Sequence, residues 1–430
     1  MKHDVPTTQL LFVGLGGYVI ALDSQTGAQI WDATLKGTGF GMPTLVIPNP
    51  IESTLLVTCG ANLRCLSAET GFEIWENRLE GIGIGYPAMA QGRDPTRFNH
   101  NTFTRDPLPK APNYSASKFD PEDYVFVASN FVVRAVSLQT GNNIWSHSTP
   151  MLEGYSSKPF LLIENGILFV AGNGRVYALN ALTGQEIWKA DVIHRQICTL
   201  ATMASGNATE NIPYNRHHVS SAAKPPLTDA IYFGTNGYIN ALSKQTGQVY
   251  IPGEITLHGV GINSSDMIPL AKSDAALVSA GINLRLVDLK TGKMVWENKL
   301  TGMGLGVLSL LAGSGVSLGN SNNQVNNDEL PGYSAIASSS DAGPSSGPIA
   351  QDSLARVLYV SLNGQVRAIQ MKDGKELWKY KPPFMNKILF PNIFVEDGRV
   401  FAAGSGIVTC FRWSHWSSGK NEICYSKLVY

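Results

Sequence analysis

The chain contains 430 residues, and its 33 basic side chains are balanced by 33 acidic ones, so the formal net charge is zero. Hydrophobic residues make up 43% of the sequence and charged residues only 15%, a composition sufficient for a large buried core. Balanced charge argues against a protein that follows nucleic-acid phosphates, which requires a net basic surface. No apolar run reaches the roughly 18 residues needed to span a bilayer.

A short phrase recurs from the N-terminal end of the sequence onward. The predicted strand and turn LLFVGLGG lead into ALDSQTGAQIW at residues 21–31. Further copies of this phrase occupy residues 65–75, 135–145, 178–188, 241–251, 286–296 and 368–378, and a decayed copy occupies residues 410–424. The copies define a unit of about 44 residues, a period typical of proteins built from structural repeats.

Each unit predicts short β-strands rather than helices. An apolar strand precedes the phrase, and the T-G pair supplies a tight turn because glycine tolerates a positive φ. The tryptophan four residues after that glycine lies on the outgoing strand, where its large ring can cover a neighbouring sheet. Short strands at this spacing predict four-stranded blades arranged radially, which limits exposed sheet edges.

The A-x-D-x-x-T-G-x-x-x-W phrase resembles the repeat of the quinoprotein-type β-propellers. These include pyrroloquinoline-quinone (PQQ) dehydrogenases and the bacterial outer-membrane lipoprotein that assists barrel assembly. The resemblance implies an all-β fold in a single domain over residues 1–430, an eight-bladed β-propeller of four-stranded antiparallel blades, with seven blades as the alternative. It also implies that a tryptophan docks each blade on the next, a structural role for Trp31, Trp75, Trp145, Trp188, Trp296 and Trp378.

The first blade has too little sequence for a complete inner strand. Its apolar strand begins near Leu10, so only a short segment precedes it. Either residues 1–9 supply an abbreviated inner strand, or this blade has three strands.

Three insertions interrupt the repeat, at about residues 92–122, 204–229 and 312–353. Each falls between the first and second strands of a blade, and such connections all leave the same face of a propeller. The third insertion is rich in Gly, Ser and Asn and has few apolar residues, a composition that predicts a flexible segment. The insertions are either tolerated surface loops or a face that binds a protein partner.

Glycine-rich stretches such as KGTGFGMP at residues 36–43 join the last strand of one blade to the first strand of the next. None opens a helix within a βαβ unit, so the G-x-G-x-G pattern does not indicate nucleotide binding. Small residues in these stretches let the inner strands approach one another near the axis. The fourth, fifth and eighth blades break this rule and carry polar side chains in the corresponding segments.

These polar side chains are the candidate site, in a glycine-walled funnel suited to a small ligand. The candidate catalytic residues are His194, Tyr155 and Lys158, which can donate or accept protons. Arg195 can hold an anion or an enolate. The candidate substrate-binding residues are Arg195, Gln196, His258, Asn386 and Lys387. The alternative is that all of them merely satisfy backbone groups and water in the central channel.

A redox quinoprotein ranks third among the functional hypotheses. The resemblance implies that such dehydrogenases clamp the quinone between a tryptophan and adjacent cysteines, and this sequence has no Cys-Cys pair. His217 and His218 are adjacent on a loop and lack the spacing of metal ligands. The sequence therefore predicts neither a cofactor nor a metal.

The leading hypothesis is a small-molecule-binding propeller, an isomerase, lyase or cyclase that works without a cofactor. The alternative is a protein-interaction scaffold that uses the insertion-bearing face, and a PQQ-dependent dehydrogenase comes third. No nucleic-acid or membrane partner is expected. The first residues lack a basic segment followed by an apolar stretch and a cleavage site, so a cytoplasmic location is expected.

Overall fold

The computed structural model describes the strands named below and their short turns. Outside the described part lie residues 1–9, 37–42, 47–53, 82–86, 92–123, 151–158, 192–201, 206–229, 250–254, 257–264, 270–274, 302–308, 313–333, 339–356, 381–391, 414–420 and 429–430, together with several single residues and pairs. The described residues form an all-β fold without a helix, and hence no helix among them is long and apolar enough to cross a membrane.

The described strands form eight four-stranded antiparallel sheets, each of which runs from an inner strand to an outer one. The first sheet contains β25 (Ser334–Ser338), β1 (Leu10–Leu15), β2 (Tyr18–Asp23) and β3 (Gln29–Thr34). The second contains β4 (Thr44–Val46), β5 (Thr54–Cys59), β6 (Asn62–Ser67) and β7 (Glu73–Arg78). The third contains β8 (Ala88–Gln91), β9 (Tyr124–Ser129), β10 (Val132–Ser137) and β11 (Asn143–Ser148). The fourth contains β12 (Phe160–Glu164), β13 (Ile167–Gly172), β14 (Arg175–Asn180) and β15 (Glu186–Asp191).

The remaining four sheets follow the same order of strands. The fifth contains β16 (Thr202–Ser205), β17 (Ala230–Thr235), β18 (Tyr238–Ser243) and β19 (Ile255–Thr256). The sixth contains β20 (Ser265–Pro269), β21 (Ala275–Ala280), β22 (Asn283–Asp288) and β23 (Met294–Lys299). The seventh contains β24 (Ser309–Ala312), β26 (Val357–Leu362), β27 (Gln365–Gln370) and β28 (Glu376–Tyr380). The eighth contains β29 (Asn392–Glu396), β30 (Arg399–Gly404), β31 (Ile407–Trp413) and β32 (Asn421–Leu428).

Consecutive sheets contact one another in sequence order. The inner strands β25, β4, β8, β12, β16 and β20 touch in that order. Strand β24 touches β29, and β29 in turn touches β25 of the first sheet. Buried apolar side chains fill the space between sheets: one cluster joins Leu11 and Val13 of β1 to Phe401 and Cys410 of the eighth sheet. The core therefore lies between the sheets, as in a β-propeller.

The inner strand of the first sheet comes from the third insertion. Strand β25 lies between β24 and β26 in the sequence but pairs with β1, in the register Leu11↔Ser338 through Leu15↔Ser334. The repeat pattern predicts either a strand from residues 1–9 or no fourth strand at this position, and the composition of residues 312–353 predicts a flexible segment where β25 lies. The prediction failed because β25 breaks the order of the repeat and its neighbours are rich in turn-forming residues.

In most sheets, the tryptophan that ends the repeated phrase lies opposite a β-bulge in the hairpin formed by the last two strands. In the second sheet Cys65 pairs with Trp75, and the register shifts between Cys65 and Leu66. The same shift follows the pairs that contain Trp31, Trp145, Trp188, Trp296 and Trp378. A bulge increases local twist and changes the direction of a side chain, so it helps to aim the indole at the next sheet.

Candidate functional site

Five tryptophans on outer strands dock their sheet onto the next one, a contact that we call the tryptophan clasp. Each indole Nε1 donates a hydrogen bond to a backbone carbonyl three residues before the turn glycine of the next sheet. The pairs are Trp31 and Ala68, Trp75 and Leu138, Trp145 and Ala181, Trp188 and Lys244, and Trp296 and Met371, at 2.8–3.0 Å. Because the ring is large and its N–H is bonded, this contact fixes both spacing and orientation of neighbouring sheets.

The turn glycine lies directly beneath the clasped ring. Gly141 has a φ of 72°, and a Cβ built on it would lie 2.5 Å from Cε3 of Trp75. At Gly71, Gly184, Gly247 and Gly374 the corresponding distance to the preceding tryptophan is 2.4–2.6 Å. The T-G phrase therefore requires glycine for two reasons, the left-handed backbone and the approach of the indole.

Trp378 packs where the seventh and eighth sheets meet. Together with Tyr380 it lies against a buried cluster that contains Tyr359 of the seventh sheet and Phe411 of the eighth. The Tyr380 and Phe411 rings meet edge to face with centroids 4.4 Å apart. Burial raises the pKa of both Tyr359 and Tyr380, so these phenols stay neutral at physiological pH.

A second contact, the carbonyl clasp, starts from the third residue of the third strand of a sheet. Its long polar side chain donates a hydrogen bond to a carbonyl two residues beyond the outer strand of the preceding sheet. The donor and acceptor residues are Arg64 and Lys36, Arg134 and Glu80, Tyr177 and Pro150, and Arg367 and Thr301. This clasp ties the start of each connecting segment to the sheet that follows it.

Most of the clasp arginines are also paired with carboxylates. Arg64 contacts Glu73 at 3.1 Å and Glu76 at 2.5 Å. At the same position of the sixth and seventh sheets, Arg285 contacts Glu297 at 2.8 Å and Arg367 contacts Glu376 at 2.8 Å. These arginine side chains are only 5–8% exposed, and a charge so deeply buried requires such partners.

A third contact, the amide clasp, starts two residues after the tryptophan. The Asn77 Nδ2 donates to the Gly141 carbonyl at 2.5 Å and to the Asn143 Oδ1 at 3.0 Å. In the sixth sheet Asn298 donates to the Gly374 carbonyl at 2.6 Å. The third sheet has His147 at this position, and its Nε2 lies 3.9 Å from a Glu186 carboxylate oxygen.

The fifth sheet accepts the hydrogen bond of Trp188 through its Lys244 carbonyl, but it lacks the residues that start the clasps in the second sheet. Its outer strand β19 has two residues, and its phrase ends in Ile251 where the others have tryptophan. The third residue of its third strand is Asn240, where four other sheets have arginine, the fourth has Tyr177, and the first and eighth have Ile20 and Thr409. The sequence has Val249 and Pro252 where the second sheet has Glu73 and Glu76. The fifth sheet thus lacks a donor tryptophan on its own outer strand, the arginine of the third strand and the two carboxylates that pair with it.

The side-chain amide of Asn240 is buried, with no hydrogen-bond partner among the described residues. Its side chain is 1% exposed, and neither its Nδ2 nor its Oδ1 has a hydrogen-bond partner in the part of the chain that the structure describes. Leaving a buried polar group unsatisfied costs about 1–3 kcal/mol. An amide has two such groups, a donor and an acceptor, so a partner that offers both would satisfy the whole side chain.

The Asn240 amide lies between the fourth and fifth sheets. Alternate residues of a strand share a face, and Leu242 of the same strand packs with Phe169 and Trp188 of the fourth sheet. In the carbonyl clasps the acceptor lies two residues beyond the outer strand of the preceding sheet. For Asn240 that strand is β15, which ends at Asp191, so the corresponding position is residue 193. An asparagine side chain is much shorter than arginine or tyrosine and reaches less far toward the preceding sheet.

The sequence-predicted site residues lie outside the described residues. These are Tyr155, Lys158, His194, Arg195, Gln196, His258, Asn386 and Lys387. In the sequence, His194 directly follows residue 193, and His258 follows the outer strand of the fifth sheet. The described feature that sequence analysis missed is Asn240. Its signal was available, because four repeats carry arginine seven residues before the turn glycine and this one does not.

The described residues do not fit a quinone clamp or a metal site. They contain no group of three or more His, Cys, Asp or Glu side chains that could hold a metal ion. Cys59, Cys65 and Cys410 are buried and form no disulfide, and Cys424 is exposed. The tryptophans Trp31, Trp75, Trp145, Trp188 and Trp296 are engaged between sheets. The sequence-predicted absence of both cofactor and metal stays a prediction.

The family of the chain follows from a match over most of its length. The family described as outer membrane protein assembly factor BamB, a PQQ-repeat family, matches residues 9–105, 129–303 and 281–412. The chain belongs to this family. The suspected resemblance to quinoprotein-type β-propellers is thereby confirmed. No curated protein matches the sequence.

Solved structures share the fold at low sequence identity. BamB from Moraxella catarrhalis is 16% identical, with a TM-score of 0.52, over 94% of this chain and 91% of that chain. The dihydro-heme d1 dehydrogenase NirN in complex with DHE is 10% identical, with a TM-score of 0.57, over 100% and 75%. Apo AztD from Citrobacter koseri is 10% identical, with a TM-score of 0.52, over 98% and 94%. Likeness at this level shows a common fold.

Proposed function

We propose that this family member binds a small polar molecule beside the contact between its fourth and fifth sheets. The observation that carries the proposal is the buried, unbonded amide of Asn240. A ligand with an adjacent donor and acceptor, such as an amide, a lactam or a carboxylic acid, satisfies both halves of this side chain. Asparagine stands here where four other sheets have the arginine or tyrosine of the carbonyl clasp.

The proposed architecture around this site is a closed ring of eight blades. Eight four-stranded sheets, sequential contacts between them and the contact of the eighth sheet with the first all support eight blades over seven. In such a ring the segments that join an outer strand to the next inner strand share one face. Asn240, His194 and His258 would then belong to the same mouth.

The proposed chemistry rests on proton transfer without a cofactor. His194, Tyr155 and Lys158 are the proposed proton donors and acceptors, and Arg195 stabilises an anionic ligand or intermediate. Gln196, His258, Asn386 and Lys387 complete the proposed polar lining. The NirN complex with DHE supports the capacity of this fold to hold a small molecule.

Native mass spectrometry after incubation with an extract of the source cells tests the proposal. We expect an added mass of a few hundred daltons that is lost in Asn240→Leu, His194→Ala and Arg195→Ala. Gln245→Ala is the matched control, because Gln245 is exposed in the opposite turn of the same sheet. An adduct that survives all three site substitutions contradicts this location, and an adduct with the mass of PQQ favours the redox alternative.

A second candidate function is a scaffold that binds a protein partner through the insertion-bearing face. Phe72 favours it, since it directly follows a turn between a third and an outer strand, and its side chain is 75% exposed. Such turns share a face with the insertions in a propeller. Large exposed aromatic residues are frequent anchors of protein interfaces. The family description of an assembly factor supports the same possibility.

Two variants separate the scaffold from the ligand-binding function. Phe72→Ser and a shortened 92–122 segment should abolish co-purification of a partner and leave the small adduct intact. Asn240→Leu should have the opposite effect. Loss of both properties in one variant with an unchanged melting temperature contradicts two separate surfaces. The cytoplasmic location stays a prediction that cell fractionation tests.

A further inference from the structure

The first sheet is completed by a strand that belongs to a distant part of the chain. Strand β1 pairs with β2 on its outer side and with β25 on its inner side. All other inner strands come directly before the second strand of their own sheet, apart from the insertions. Without β25, the inner edge of β1 would present unpaired backbone groups, which is a template for another strand.

Besides the contacts of β25 with β4, β29 and β30, the first sheet touches both neighbouring sheets through its other three strands. On one side, Phe12 and Trp31 pack with Leu45 and Leu55 of the second sheet, and Trp31 donates its hydrogen bond to Ala68. The other side of the sheet packs against the eighth sheet through a separate buried cluster. Arg399 of the eighth sheet also donates to the Ser24 carbonyl of the first. Contacts of the first three strands therefore hold this sheet between its neighbours.

The segments that connect β25 to the seventh sheet are longer than the path they cover. Strands β24 and β25 both touch β29, so at about 10 Å per packed layer they are about 20 Å apart. Residues 313–333 and 339–356 can each span roughly 60 Å when extended. The strands β24 and β26 already pair with each other, with Ala312 opposite Leu358. The seventh sheet is thus complete whether or not β25 is docked.

We propose that the inner edge of β1 is a strand-acceptor site that also binds an extended segment of a partner protein in place of β25. Backbone hydrogen bonds to β1 provide the affinity, as in other cases of strand addition to a sheet edge. This site is independent of the ligand site proposed at Asn240.

The register of β1 defines the chemistry of the partner segment. The position opposite Gly14 is Ala335, and a Cβ on Gly14 would lie 2.5 Å from Pro43, so space on this side of β1 is tight. Residues paired across two strands share a face, which favours a small residue opposite Gly14. The position opposite Val13 is Ile336. The acceptor site therefore fits an extended segment with a β-branched residue between two small ones, and a central proline is excluded because it cannot donate to the ladder.

A truncated variant with an added peptide tests this proposal. Residues 313–356 are replaced by a short glycine-rich turn that joins β24 to β26, and a fluorescent peptide with the sequence of residues 332–340, GYSAIASSS, is titrated by anisotropy. We expect a folded, monomeric variant that binds one peptide. The Ile336→Gly peptide should bind ~5-fold more weakly, as expected from strand propensity, and the Ile336→Pro peptide should not bind.

Three results would overturn the proposal. Failure of the truncated variant to fold would show that β25 is an integral core strand. A folded variant that binds no peptide, or binds the proline peptide equally well, would show that β1 accepts no strand in trans. Dimerisation that excess peptide does not reverse would assign the bare edge to a second copy of this chain. Hydrogen exchange in the full-length protein provides an independent measurement: amides of β25 should exchange before those of β2.

Discussion

The second sheet is tied to its neighbours by a tryptophan, an arginine with two carboxylates and an asparagine, whereas the fifth sheet has none of these residues in the corresponding positions. The strand framework is nevertheless similar in both, and β18 pairs with β17 over six residues as β6 does with β5. Strand pairing and apolar packing are therefore sufficient to place a sheet in the series. The polar clasps add contacts between sheets, and the fifth sheet has the buried amide of Asn240 where the second has the arginine.

Removal of the tryptophan clasp should cause the largest loss in the free energy of unfolding. Trp75→Ala removes a partly buried indole and its hydrogen bond to Leu138, and we expect a loss of about 3 kcal/mol in the free energy of unfolding. The neighbouring Ile74 is 54% exposed, so Ile74→Ala is the control and should change stability little. Urea unfolding followed by tryptophan fluorescence and circular dichroism measures both. Equal effects would contradict the clasp.

Removal of the carbonyl clasp should rank second. Arg64→Leu abolishes the bond to the Lys36 carbonyl and leaves Glu73 and Glu76 unpaired. The two carboxylates are partly exposed and remain hydrated, so the expected loss is about 2 kcal/mol, below the usual cost of breaking a fully buried pair. Lys36→Ala keeps the accepting carbonyl and should be nearly neutral in the same urea titration. A neutral Arg64→Leu would mean that this arginine does not hold the sheets together.

The turn glycines distinguish backbone strain from contact with the indole. Gly141→Ala introduces a Cβ at positive φ beneath Trp75, and we expect a loss of about 2–3 kcal/mol. Gly81→Ala is the matched control: its φ is 79°, and the nearest atom to an added Cβ is Arg134 Nη2 at 3.8 Å. This control should lose only the roughly 1–2 kcal/mol of left-handed backbone strain. The difference in melting temperature isolates the steric part.

Replacement of asparagine by alanine in the second sheet and in the fifth should have the smallest effects on stability, and the difference between the two is a direct test. Asn77→Ala removes two hydrogen bonds and should cost about 1–2 kcal/mol. Asn240→Ala removes a side chain that makes none within the described residues, so the stability of the ligand-free protein should change by less than about 0.5 kcal/mol. Differential scanning calorimetry of the ligand-free protein compares them. A large loss at Asn240 would show that structural hydrogen bonds, not a ligand, satisfy this amide.

Local sequence signals were sufficient to predict the repeated sheets. A glycine in the left-handed backbone conformation and a tryptophan four residues later lie within one hairpin. Each copy of the phrase therefore predicts its hairpin from local sequence alone. Strand β25 could not be found in this way, because its partner β1 lies more than 300 residues away and SAIAS resembles the turn-rich sequence around it. Pairing between such distant segments leaves no periodic pattern.

The candidate site was predictable only in part. Polar residues such as His194 interrupt a glycine pattern and are visible in the sequence. In the sequence, Asn240 looks like an ordinary strand residue. The structure shows that side chains at its position in the third strand, such as Arg64 and Tyr177, contact the preceding sheet. Asn240 stands out because the described residues around it supply no hydrogen-bond partner for its amide. Whether a buried polar group has a partner depends on the packing of neighbouring sheets and cannot be read from one strand.

The origin of β25 also sets the order in which the protein can be completed during synthesis. The ribosome delivers β1 first, yet the partner for its inner edge leaves the exit tunnel only after three quarters of the chain have been made. Throughout that time the nascent chain carries an open sheet edge, which is a species prone to association with other chains. The last steps of folding then include a pairing with very long sequence separation, so refolding from denaturant should be slow and should yield more monomer at low protein concentration.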